Sequence, residues 1–130
     1  MNQEKHRVAD VWANYWDAPY FAAYPQMKAL YDRLGMPDRA AVTLEMILRE
    51  ADAGGVERIV LSATDFPGSP SDNRKIAEIV AAAPDRIVGC ASVDPRRGME
   101  GVRELRRAVN EDGLRGYKVL PFLYGAPPND

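Results

Sequence analysis

The sequence predicts an α/β protein built from parallel βα units, about four strands in all. Short β-branched apolar runs alternate with stretches whose apolar residues recur at helical spacing, the pattern of a parallel sheet with helical crossovers. Three of the runs open on an arginine, Arg58, Arg86 and Arg115, spaced about one βα unit apart. The helical stretches begin and end on residues suited to capping.

The first strand is expected over Val8, Ala9, Asp10, Val11 and Trp12. Residues 15–41 read as an insertion, rich in Tyr, Pro and Ala, with one short helix around 26–34. The first regular helix carries Leu44, Ile47, Leu48 and Ala51 at i, i+3, i+4 and i+7, with Thr43 as N-cap and Gly54 past its end. The second strand, 56–63, follows Gly54-Gly55. The second helix repeats the spacing at Ile76, Ile79, Val80 and Ala83. Ser69 is its expected cap, Pro70 its first helical residue and Asp72 its N3 acid, and it stops before Pro84. The third strand spans 85–93. A third helix carries Met99, Val102, Leu105 and Val109 and ends at Gly113, and the fourth strand spans 114–120. These strands are apolar rather than strictly alternating, as strands covered on both faces are.

The 130 residues suffice for one domain, 1–130, and one core. A formal net charge of −2 gives no electrostatic reason to expect nucleic acid or an anionic membrane as partner. Arginines and acids interleave from Arg96 to Arg107, which reads as a solvated helix face. Cys90 is the single cysteine, so neither an internal disulfide nor a cysteine zinc cluster can form. The first residues lack the apolar stretch of a secretory signal, and no run approaches the about 18 apolar residues of a membrane span. A cytoplasmic protein is the expectation. Residues 121–130 supply no helix to cover the fourth strand, so the fold is expected to be interrupted.

The run from Asp52 through Gly54-Gly55-Val56-Glu57-Arg58 resembles the entrance to strand two in the amidohydrolase-related family. Asn73, then Pro84-Asp85-Arg86-Ile87-Val88-Gly89 and Val93-Asp94-Pro95, are similar to that family's next segment. Glu104 to Arg107, Gly113 to Lys118 and Pro127-Pro128-Asn129-Asp130 resemble its third helix, fourth strand and following loop. The order and spacing of these pieces, over residues 42–130, carry the resemblance. It implies a TIM-type (β/α)₈ barrel, of which this chain would supply the first half. It also implies a divalent metal, usually zinc, in a complete barrel, with hydrolysis or nonoxidative decarboxylation of a small carboxylate or cyclic substrate.

By the same resemblance, the metal-binding His-x-His pair of strand one falls on Trp12 and Asn14. Tryptophan cannot ligate zinc, and a neutral asparagine oxygen is a poor substitute for imidazole. The family's remaining ligands lie on strands five, six and eight, so no metal or cofactor is expected in this chain. His6 is the only histidine and lies before the first strand, where solvent exposure explains it. Without a second histidine no Ser-His-Asp set can form, and no P-loop or GxGxxG pattern is present.

Lys118 and Asp65 are the catalytic candidates, and Trp12, Asn14 and Lys118 the substrate-binding ones. Lys118 falls where some metal-dependent relatives carry a carbamylated lysine; a substrate-facing amine or a salt-bridged strand-end lysine are its other readings. Asp65 lies in a loop after strand two and serves either substrate or the turn before Pro67. Trp12 and Asn14 either touch substrate or pack at the strand end. Cys90 is expected to face core, and Gly68-Ser69 is an anion-binding turn or a cap.

Three functional readings follow. In the first, the chain is half of an amidohydrolase-related enzyme and inactive alone. In the second, it is a half-barrel subunit that closes on a second copy or on a chain carrying strands five to eight. In the third, it is a flavodoxin-like module binding a small ligand in its strand-end crevice.

Overall fold

A computed structural model of the protein describes residues 7–16, 18–23, 25–35, 42–65, 69 and 71–121. Four strands form one sheet: β1 (Val8–Ala13), β2 (Val56–Ser62), β3 (Ile87–Ala91) and β4 (Gly116–Tyr117). Their spatial order is the chain order, and every neighbouring pair is parallel. The helices are α1 (Ala18–Ala23), α2 (Pro25–Arg33), α3 (Leu44–Ala53), α4 (Asn73–Ala82) and α5 (Met99–Asn110), with a 3₁₀ turn at Pro95–Arg97. Sequential parallel strands with helical crossovers make half of a β/α barrel. A doubly wound sheet reverses direction after its first strands. The observed order therefore excludes the flavodoxin-like reading.

The core lies between the sheet and the helices α3, α4 and α5. Ile59 and Leu61 of β2, Ile87 and Ala91 of β3, and Leu114 point outward into it. They meet Ala51 of α3, Ile76 and Ile79 of α4, and Ala108 of α5. Gly89 keeps β3 close to this layer: a Cβ there would lie 2.4 Å from Leu114 Cδ2 and 2.8 Å from Val80 Cγ2. Because strand side chains alternate, the opposite, inner face carries Val60, Ser62, Val88 and Cys90. Val60 and Val88 are half-buried.

Local chemistry explains the helix ends. Thr43 caps α3 as expected, accepting from Met46 N at 3.2 Å. Gly55, rather than Gly54, takes the left-handed conformation that turns the chain into β2, with φ +68°. The cap of α4 is Asp72, which accepts from Lys75 N at 2.8 Å, and not Ser69. A carboxylate next to the first helical residue satisfies orphan N–H groups and faces the positive end of the helix. Ser69 instead hydrogen-bonds Thr64 across the loop, at 2.7 Å.

Of the four apolar positions expected to line the buried face of α5, Leu105 packs against the core and the other three do not. Met99, Val102 and Val109 are exposed, and Gly101 and Ala108 are buried. Close approach requires small residues on the buried side: a Cβ at Gly101 would lie 3.3 Å from the Asp94 carbonyl. The insertion holds two helices, α1 and α2, where one was expected. Its ends are tied where Val42 N donates to the Trp16 carbonyl at 2.6 Å. Strand β4 is two residues long, Gly116–Tyr117, instead of seven. Arg86 ties the sheet bottom, donating to the carbonyls of Glu57 and Val56 at 3.0 Å each and pairing with Asp52 at 2.7 Å.

Candidate functional site

The carboxyl ends of barrel strands, with the loops that follow, are where β/α barrels place their chemistry. Three side chains predicted to face substrate come together there. Lys118, just past β4, projects its Nζ over the ring of Trp12 from β1, 4.0 Å from the centroid. The same Nζ donates to Asn14 Oδ1 at 3.4 Å. Strand register accounts for the meeting. Ala13 pairs with Leu61, which faces the helices, so Trp12 and Asn14 take the inner face. Cys90 pairs with Gly116, and Lys118 follows two residues later on the same side. A Cβ at Gly116 would lie 2.5 Å from Cys90 Sγ, so a side chain there would displace that thiol.

The inner face is poor in negative charge. Burial pushes the Cys90 thiol up, against the opposing pull of Lys118 and a hydrogen bond with Ser62, so the thiol is kept protonated. Cys90 is half-buried on the inner face and is not in the core as expected. Burial also lowers the pKa of Lys118, and Cys90 opposes that shift. The ring of Trp12 and the amide oxygen of Asn14 both favour the charged ammonium.

Asp65 does not join this group. Its Oδ2 accepts from Asp94 N at 2.7 Å and pairs with Arg97 at 3.1 Å, fastening the loop after β2 to the loop after β3. Beside it lies a recess of about 230 Å³ lined by Asp65, Asn73, Ser92, Arg97, Glu104 and Arg107. The polar groups in it are bound to one another. Asn73, buried at the start of α4, accepts from Ser92 N at 2.8 Å. Its Nδ2 donates to the Ser92 carbonyl at 3.0 Å and to Glu104 at 3.1 Å. Arg107 pairs with Glu104 at 2.8 Å and with Asp112 at 2.6 Å. Its guanidinium, followed by the Asn73 hydrogen bond, holds the Glu104 carboxyl below the usual range, against the effect of burial. The interleaved charges of α5 are thus partly a structural clasp and not only a solvated face. Asn73 entered the sequence reading only as part of a motif. A polar residue just after an N-cap and level with the end of the next strand is the signal for its role. His6, Pro67, Gly68 and residues 127–130 lie outside the described residues.

A family model described as Amidohydrolase matches residues 9–130. The chain belongs to the amidohydrolase family. Among solved structures, this amidohydrolase chain is similar to 5-carboxyvanillate decarboxylase LigW from Sphingomonas paucimobilis. The identity is 22% and the TM-score 0.65, over 85% of this chain and 42% of that one. A dihydroxybenzoic acid decarboxylase from Polaromonas sp. JS666, with bound manganese and the inhibitor 2-nitroresorcinol, matches at 22% identity and a TM-score of 0.62. That match covers 86% of this chain and 37% of that one. A TIM-barrel protein from Bordetella bronchiseptica matches at 17% and 0.62, over 94% of this chain and 46% of that one. These likenesses show the fold, and the chain spans less than half the length of each of these proteins. None of the curated protein sequences matches it. Among the described residues, no helix is long and apolar enough to cross a membrane.

Manganese is bound in such a neighbour, and the residues that stand at the ligand pair implied by the family resemblance, Trp12 and Asn14, do not suit a metal. An indole offers no ligating lone pair, and Asn14 Oδ1 already accepts from Lys118. The ammonium beside it would repel any metal ion placed on that oxygen. Among the described residues no group of three or more His, Cys, Asp or Glu is placed to hold a metal.

Proposed function

We propose that this chain supplies the strand-one-to-four half of an amidohydrolase-type site, and that Trp12, Asn14 and Lys118 face a small carboxylate or cyclic substrate. The chemistry would be the family's hydrolysis or nonoxidative decarboxylation. The observation that carries the reading is the meeting of Trp12, Asn14 and Lys118 on the inner face, at the carboxyl ends of β1 and β4. A flat ring, an amide and an ammonium together recognise an apolar body bearing an anionic group. The decarboxylases among the structural neighbours support that substrate class.

The groups that would complete the reaction are not among these residues, so the chain alone is expected to be inactive. It acts after pairing with a second copy or with a polypeptide carrying the remaining strands. Exposed Val8 and Val11 on β1, and Met99, Val102 and Val109 on α5, support such pairing. The test assays carbon dioxide release from 2,6-dihydroxybenzoate and 5-carboxyvanillate, with and without manganese, alongside sedimentation of the same sample. No turnover by monomer is expected. Turnover by a monomer overturns the half-site reading, and a monomer at all concentrations with a cooperative melt overturns self-pairing.

A further inference from the structure

The cation of this site is already part of the chain. A half-buried charge ordinarily has a counter-charge, because desolvation without one is unfavourable. Lys118 contacts the Trp12 ring and the neutral Asn14 amide, and no carboxylate of the described residues pairs with it. Three arginines in the loops and helix after β3, by contrast, have carboxylate partners. Arg97 pairs with Asp65 and Glu100, Arg107 with Glu104 and Asp112, and Arg96 with Asp94. Beside Lys118 on the same face, at the strand ends, lie the hydroxyl of Ser62 and the protonated thiol of Cys90.

Building on the substrate-facing reading above, we propose that the Lys118 ammonium is the resident cation of this site. It binds the carboxylate of the substrate beside the face of Trp12, where the family's strand-one histidines would hold a metal. Asn14 takes a defined part. Its Oδ1 accepts from Lys118, which turns its Nδ2 donors away from the ammonium and leaves them to a carboxylate oxygen. Trp12 is 61% exposed and so presents an open apolar surface to the body of a flat acid. Recognition by an ammonium and an amide selects for charge, so a neutral analogue of the same shape binds weakly.

The test uses the full chain with sodium benzoate as probe. The ε-methylene resonance of Lys118, shifted by the Trp12 ring, is followed by NMR with labelled lysine. Benzoate is expected to move that resonance saturably, and benzamide is expected to leave it in place. Lys118→Met should weaken benzoate binding about ten-fold or more, and Lys118→Arg should retain it within about three-fold. Manganese chloride titrated into the unaltered chain should show no stoichiometric uptake. Benzoate binding equally well to K118M, read from the Trp12 indole resonance, overturns the role of the lysine while leaving the face as a substrate surface. Benzoate that moves neither Lys118 nor Trp12 overturns the substrate-facing reading as well. One-to-one manganese binding that persists in K118M also overturns the proposal. Should K118M unfold, the comparison of benzoate with benzamide on the unaltered chain and on K118R still decides it.

Discussion

Adding one methyl group at Gly89 should destabilise the protein measurably. The Cβ of Gly89→Ala would sit 2.4 Å from Leu114 Cδ2, 2.8 Å from Val80 Cγ2 and 3.2 Å from Ile76 Cγ2. Carbon atoms pack at about 3.5–4.0 Å, so Leu114 must retreat by about 1 Å or more. It has little room to do so, since Leu114 and Ile76 are fully buried. Overpacking of this kind costs about 1–3 kcal/mol. Restricting the unfolded chain by replacing glycine offsets about 0.4–1 kcal/mol of that. The net loss is about 1–2 kcal/mol, or about 5- to 30-fold in the folded-to-unfolded ratio. Denaturant unfolding followed by circular dichroism reads it directly. Leu114→Val removes the atom the new methyl strikes, so the double variant should lose less than the sum of the single ones by about 0.5 kcal/mol or more. Strict additivity, or a Gly89→Ala variant as stable as the parent, would refute the steric account.

Two further outcomes follow from the clasp beside β3. Asn73→Ala strands the buried N–H and carbonyl of Ser92, and it should cost about 1–3 kcal/mol in the same unfolding experiment; an unchanged midpoint would show that the asparagine is not what holds β3 to α4. The pKa of Glu104 is lower in the folded state than in the unfolded chain, so its contribution is present above the ordinary glutamate range and fades as pH falls through the depressed value. Glu104→Gln should flatten that part of the acid limb of the stability curve, and an unaltered limb would count against the Arg107 pairing as its cause.

How much of this was legible beforehand depended on whether the signal was local. The caps of α3, the parallel strands and their order of appearance come from neighbouring residues, and they read correctly. Thr43 and Asp72 differ instructively. Thr43 stands alone before its helix, whereas Asp72 competes with Ser69 and Ser71, and only the three-dimensional path of the loop selects the acid. The apolar stripe of α5 misleads at three of its four positions, all but Leu105, because the side against the turn after β3 must be small. Gly101 and Ala108 carry almost no hydrophobic signal, while Met99 and Val102 carry much. Trp12, Asn14 and Lys118 were each singled out by the strand positions to which the family resemblance points. Their convergence was not readable, because residues 14 and 118 are brought together only by the curvature and register of the sheet. Asp65 read as a site residue because of its loop, and its bond to the Asp94 N–H is a long-range partner that no sequence spacing encodes.

The two faces of the sheet divide the labour of the molecule, and that division supports reading the inner one as functional. The outer face holds the close packing: Leu61, Ile76, Ala91 and Leu114 are shut off from solvent, and Gly89 is tight to the limit of a missing methyl. The inner face has a different character. At the level of the strand ends it carries serine, cysteine and a lysine with no carboxylate partner among the described residues. A sheet that needed only to cover this face would gain more from leucine at position 118, since an amine there loses hydration and gains only a ring and one amide in return. Such a locally unfavourable choice, placed where β/α barrels put their reacting groups, fits the proposal that the counter-charge arrives with the substrate.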